Sequence, residues 1–236
     1  RHLQGQSSGA LAGWLVTIKD NLDLAGEVTL AGSVVCASDS PADVDAPVVQ
    51  RLREAGAVLL GKTNMTEFAF SGVGINPHHG TPANPADRAN PRGPGGSSAG
   101  AAVSVALGLA RAAIGTDTGG SVRIPAALCG LVGFKGTQSR IPLQGVIELS
   151  RSLDTVGALT RNVADNLAID AVLSGAGLPR VARPLSGVRL AVPQTVFLDD
   201  LTPAVAAAFA RVLRQLSQAG AQIIDLPLRE FSEVAP

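Results

Sequence analysis

The 236-residue chain is long enough to bury the core of one large domain without staples. Its 19 basic and 19 acidic residues cancel, which lacks the clustered cation surplus of a nucleic-acid binder. Aromatics at 3% with no tyrosine exclude base-stacking platforms as well.

Short apolar runs alternate with small-residue helical segments, the pattern of an α/β protein. Leu15-Val16-Thr17-Ile18 reads as a strand that ends at Lys19-Asp20-Asn21. Pro47 opens a helix through Val48, Val49 and Leu52, which Gly56 stops. Ala57 to Leu60 is an apolar strand running into Gly61-Lys62-Thr63-Asn64. From Ser71 to Gly96 the chain is rich in Gly, Pro and Asn without a period, a loop length usually tied to function. Ser97 and Ser98 then cap an alanine-rich helix reaching about Leu109. Ala112-Ala113-Ile114 and Leu131 to Phe134 are further strands, with the turn Gly115 to Ser121 between them. Val163 to Leu173 is helical, Val188 to Val192 is a strand, Thr202-Pro203 starts a helix to Gln218, and Gln222 to Ile224 is the last strand.

Cys36 and Cys129 are too few for a disulfide framework or a zinc site, so both are expected as buried free thiols. The apolar stretch Gly100 to Ala110 is too short to span a membrane, and no secretory leader opens the chain. The expectation is a soluble, cytoplasmic protein.

Chemistry concentrates where strands run into glycine-rich turns. In Thr116-Asp117-Thr118-Gly119-Gly120-Ser121 the amides from Thr118 to Ser121 can converge on one concavity, a nest for an anion such as an acyl-transfer oxyanion. Phosphate binding fails on detail at the Gly95 and Gly115 turns, because neither G-x-x-x-x-G-K-[ST] nor G-x-G-x-x-G is present there. A serine nucleophile needs a base, and the titratable nitrogen bases are few: His2, His78, His79, Lys19, Lys62 and Lys135. No G-x-S-x-G elbow surrounds Ser97 or Ser121, and none of the three histidines is well placed for a Ser-His-Asp triad. Lys62 follows a fully apolar strand. If that strand is central, desolvation lowers the amine's pKa and frees its lone pair. Lys19 also follows a strand and competes for the role, whereas Lys135 in Gly133-Phe134-Lys135-Gly136-Thr137 reads as structural.

Taken together, GKTNMTEFA at Lys62, PGGSSAG at Ser97 and GTDTGGSVRIPAALCG at Ser121 resemble the amidase signature family of Ser-cisSer-Lys amide hydrolases. The 24-residue spacing from Ser97 to Ser121 fits it, as do VTIKDNLDLAG at Val16 to Gly26 and GFKGT at Gly133 to Thr137. The resemblance covers roughly residues 13–175. It implies a mixed central β-sheet flanked by helices on both faces. It also implies Ser121 as nucleophile, Lys62 as general base and Ser97 as relay, held by a cis Gly96-Ser97 peptide. The amides of Thr118, Gly119, Gly120 and Ser121 would form the oxyanion hole, with Ser98 and Asp117 bracing the network. Arg123 is weighed evenly between binding a substrate carboxylate and bracing the turn. Phe70, Asn76, His78 and His79 are the loop residues expected to shape a substrate pocket.

The reaction implied is hydrolysis of a small carboxamide through an acyl-enzyme. It needs no metal or organic cofactor, and its partners are a small-molecule amide and a second copy in a homodimer, with no direct nucleic acid and no membrane. Two departures stand out. Gly136 occupies a position where the family usually has proline, and family members are commonly longer, so residues 1–236 are expected as one N-terminal catalytic core of a longer domain. Two further readings are carried. One is the glutaminase subunit of a transamidating complex on aminoacyl-tRNA, which the KTNM-x-EFA segment also resembles and which would depend on a second protein. The other is a non-catalytic binding domain that keeps the fold without turnover.

Overall fold

The computed structural model describes residues 9–177 and 184–233. The chain forms two compact units, residues 1–178 and 179–236. In the first unit a five-stranded mixed sheet is built from β1 (Leu15–Lys19), β2 (Val58–Thr63), β3 (Ala112–Asp117), β4 (Val132–Gly133) and β5 (Thr155–Thr160). Its order is β2-β1-β3-β5-β4, with β2-β1-β3 parallel and β3-β5-β4 antiparallel. The central strands β3 and β5 are buried along their whole length, which explains their run of small and β-branched residues.

Four helices cover the two faces: α1 (Pro47–Glu54), α2 (Ala99–Ala106), α3 (Arg123–Leu128) and α4 (Val163–Ser174). Side chains alternate across the sheet, so each face has its own core. Val16, Ile18, Ile114 and Val156 pack with Val48, Val49 and Leu52 of α1 and Ile169 and Leu173 of α4. Ala113 and Leu159 pack instead with Ala101, Ala102 and Val105 of α2 and with Val122 and Ala126 beside or in α3. The mixed sheet with helices on both faces agrees with the expected fold class.

The second unit pairs β6 (Arg189–Pro193) in parallel with β7 (Gln222–Leu226), joined through α5 (Pro203–Gln218). No residue of α5 is buried, and Phe231 meets Phe197 edge-on at 4.8 Å between ring centroids. Among the described residues no helix is long and apolar enough to cross a membrane. Cys36 and Cys129 are buried free thiols, as composition suggests.

The differences from the sequence-based expectations have local causes. β2 continues past Leu60 to Thr63, and β3 runs on to Asp117. α2 is shorter than its apolar run, because Leu107 to Leu109 turn away at Gly108 with φ +78°. α3 and β5 lie beyond the expected elements. Only six residues long, α3 carries a proline, and β5 holds Gly157 where the Phe134 carbonyl approaches too closely for any side chain.

Candidate active site

Strand parity decides which lysine reaches the serines. Val16 and Ile18 of β1 face α1 and α4, so Thr17 and Lys19 face α2. Thr17 Oγ1 lies 3.0 Å from Ser104 Oγ on α2. Two residues further on, Lys19 enters the space before α2, where it is fully buried. Its Nζ sits 2.6 Å from Ser97 Oγ, 2.8 Å from Thr116 Oγ1 and 3.4 Å from the Thr116 carbonyl. Burial lowers its pKa to about 7, against the opposing pull of the Asp117 and Asp154 carboxylates. At neutral pH a substantial fraction of this amine therefore carries a free lone pair.

Lys62 is not in that position, which corrects the expectation that it stands beside Ser97. Its strand is at the sheet edge rather than central. The register pairs Ile18 with Lys62 and Lys19 with Thr63, and paired residues share a face. The two lysines therefore point to opposite sides. A bulge shifts the pairing from Val16–Leu59 to Thr17–Gly61, leaving Leu60 unpaired. An unbroken register would have set Lys62 directly beside Lys19. Gly61 takes φ +141° at this break, a conformation that favours glycine. Lys62 Nζ pairs with the Asp20 carboxylate at 2.8 Å and donates to Val28 O and Thr29 Oγ1, both at 3.2 Å.

Ser97 and Ser98 are fully buried at the start of α2, and the Gly96-Ser97 peptide is cis. Ser98 occupies the N-cap position, yet its side chain does not cap the helix. Its Oγ reaches the Thr116 carbonyl at 3.4 Å, and its amide donates to Ser121 O at 3.2 Å. Those two contacts tie the serine turn to the strand end that carries Ser121. Gly115 makes the approach possible, because a Cβ there would stand 2.6 Å from Ser98 Oγ.

Asp117 organises the next turn. Its buried carboxylate accepts from the amides of Gly120 (2.7 Å), Val122 (3.1 Å) and Arg123 (3.2 Å), and from Arg123 Nε (2.9 Å) and Nη2 (3.0 Å). Burial raises the pKa of this group, but the Arg123 guanidinium and the turn amides outweigh it, so the net shift is downward. Arg123 is thus a brace for the turn through two of its nitrogens. Lys135 is structural as expected, donating to Asp117 O and Leu153 O at 2.6 Å each.

The nest is narrower than the sequence suggested. The Gly120 amide is committed to Asp117, whereas the amides of Thr118, Gly119 and Ser121 have no acceptor among the described residues. Thr118 Oγ1 donates to Asp154, which also accepts from the Leu149 and Ser150 amides. Ser121, Thr118 and Gly119 line a cleft of about 340 Å³ with Phe70, Ile124 and Leu149. Phe70 is therefore placed at the cleft, 78% exposed. Asn76 is a loop staple, donating to Gly32 O and Met65 O and accepting from the His78 and His79 amides. His78 Nε2 lies 3.1 Å from Glu67. Neither Asn76 nor the histidines line the cleft.

Comparison with known proteins bears on the family. The family model for amidases matches residues 1–236. The chain is 44% identical over 98% of its length to the 2-amino-5-chloromuconic acid deaminase of Comamonas testosteroni, covering 50% of that protein. It is 42% identical over 94% of its length to the A-type subunit of the glutamyl-tRNA(Gln) amidotransferase of Nitratidesulfovibrio vulgaris, covering 48% of it. The native peptide amidase of Stenotrophomonas maltophilia superposes on 95% of the chain with a TM-score of 0.82 and 36% identity, covering 50% of that structure. The chain thus spans about half the length of the relatives it matches. With the buried lysine, the paired serines and the glycine turn in one site and the family match over the full length, the chain belongs to the amidase signature family.

Proposed function

We propose that this chain carries the catalytic core of a C–N hydrolase that opens a small carboxamide, with Ser121 as nucleophile, Ser97 as proton relay and Lys19 as general base. The observation that carries it is the fully buried Lys19 amine 2.6 Å from Ser97 Oγ. Neutral Lys19 takes the Ser97 proton while Ser97 takes that of Ser121, whose Oγ attacks the amide carbonyl. The oxyanion is received by the amides of Thr118, Gly119 and Ser121, an interaction typically worth about 3 kcal/mol per donor. The relay then returns its proton to the departing amine. Water attacks the acyl-enzyme with the same relay as base, releasing the carboxylic acid and restoring Ser121.

A fluorophosphonate probe read by intact mass tests the assignment. One adduct on the native chain, absent in Ser121→Ala, is the expected result. No adduct on a chain that melts cooperatively overturns it and favours a binding domain without turnover. A second reading, a glutamine-specific subunit working with another protein, is favoured by the 42% identity to an A-type amidotransferase subunit. Ammonia release from glutamine only in the presence of a partner protein would select it.

The depressed pKa of Lys19 sets a pH dependence. Because the base must be neutral, labelling should fall tenfold per pH unit below about 7 and level off above it. Rates measured from pH 5.5 to 9 check this, and a flat profile would remove Lys19 from the role.

A further inference from the structure

Lys19 has three polar neighbours, and a neutral amine offers two N–H groups and one lone pair. For the lone pair to face Ser97, both N–H groups must go to Thr116, one to Oγ1 and one to the carbonyl. The carbonyl can only accept. The hydroxyl is ambiguous, since a rotated Thr116 O–H could donate to the lone pair and take it from Ser97.

Asn21 holds the same hydroxyl. Its Nδ2 donates to Thr116 Oγ1 at 3.1 Å and to Ile147 O at 3.2 Å, and its main-chain carbonyl accepts from the Ile147 amide at 2.8 Å. The residue is 2% exposed, and its Oδ1 is buried without a hydrogen-bond partner among the described residues. A staple to the Ile147 segment would need one N–H only. The second N–H goes to the hydroxyl that touches the Lys19 amine, at the cost of an orphaned oxygen. An amide nitrogen has no lone pair to offer, so it can only donate, and it occupies one acceptor site of Thr116 Oγ1.

We propose that Asn21 is a positioning residue: by donating to Thr116 Oγ1 it fixes in place the hydroxyl that touches the Lys19 amine, and so keeps that amine seated against Ser97. The inference rests on Lys19 acting as the base. The carboxylates acting on the amine are Asp117, from β3, and Asp154, before β5, with Lys135 Nζ 4.0 Å from Asp117. Both carboxylates have their own donors, so Asn21 and Thr116 are the neutral pair that orients the amine. The proton transferred is that of Ser97, which moves to Lys19 Nζ as the Ser121 proton moves to Ser97.

The chain has three lysines, so ¹³C-lysine NMR can follow the Lys19 titration directly, without turnover. Asn21→Ala and Thr116→Val should each move that titration by about half a pH unit or more and slow fluorophosphonate labelling about tenfold. Adding Asn21→Ala to Thr116→Val should change nothing further, because Asn21 acts through the hydroxyl. Asn21→Asp, of the same shape, reverses the hydrogen bond and sets a carboxylate two hydrogen bonds from the amine. It should raise the Lys19 titration and carry the acid limb of labelling upward with it. A Lys19 titration unmoved in both Asn21→Ala and Asn21→Asp, or additive losses in the double variant, would overturn the proposal and leave Asn21 a staple. Absence of labelling in the native chain would instead defeat the hydrolase reading, while the NMR titration would still judge Asn21.

Discussion

Lys19→Met is expected to slow fluorophosphonate labelling of Ser121 by about a thousandfold at pH 8, within the range a positioned general base contributes. Its melting temperature should stay within a few degrees of the native chain. Methionine fills a similar volume and removes the cost of desolvating an amine whose pKa has already been driven down to about 7. Lys62→Met should give the reverse signature. It leaves Asp20 without its 2.8 Å partner in a site where both side chains are largely buried, costing about 1–3 kcal/mol of stability. Labelling at a temperature where that variant is folded should stay within about threefold of native. Labelling rates and melting curves for the two variants side by side check the assignment. Loss of labelling in Lys62→Met with Lys19→Met active would reverse the roles.

Asp117→Ala is expected to be the more damaging change to the fold. Five donors converge on this carboxylate, including three turn amides and two nitrogens of the Arg123 guanidinium. Breaking a buried charged network of this kind costs about 3–5 kcal/mol, or roughly 10 °C in melting temperature for a unit of this size. Asp117→Asn keeps the shape and part of the hydrogen bonding, so it is the variant for kinetics. It removes a charge that holds the Lys19 pKa up, so the acid limb of labelling should move below about 7. The sign for stability also follows. The folded pKa of Asp117 is depressed, so its stabilising contribution is present above the ordinary carboxylate value of 3.8 and is lost as pH falls through the lower folded value. A melting temperature in Asp117→Ala equal to the native one would show that the turn is held by something other than this carboxylate.

The chemistry-bearing turns were legible in the amino-acid order alone. Glycines and serines at fixed spacing dictate where the backbone can approach closely, and this information is local. Gly115 must lack a Cβ for Ser98 to pass, and Ser121 must follow Gly119-Gly120 for its turn to close on Asp117. The outer helices were legible for the same reason: Pro47 and Pro203 mark helix starts where a missing N–H costs nothing.

Partnership, by contrast, was settled by long-range packing. Two lysines end two neighbouring strands, each after an apolar run, and no local pattern ranks them. Their ranking depends on strand order, which makes β1 interior and β2 an edge, and on a single bulge at Leu60 that turns Lys62 to the other face. Arg123 is similar, since its role as a brace is visible only once the Asp117 carboxylate is seen 2.9 Å away. The Gly120 amide belongs to the same group, spent on a side chain three residues earlier rather than left for an oxyanion. In each case the sequence supplied a group able to bond, and the fold chose its partner. A hydrogen bond or a desolvated amine is a property of two places in the chain, and only the folded sheet brings those places together.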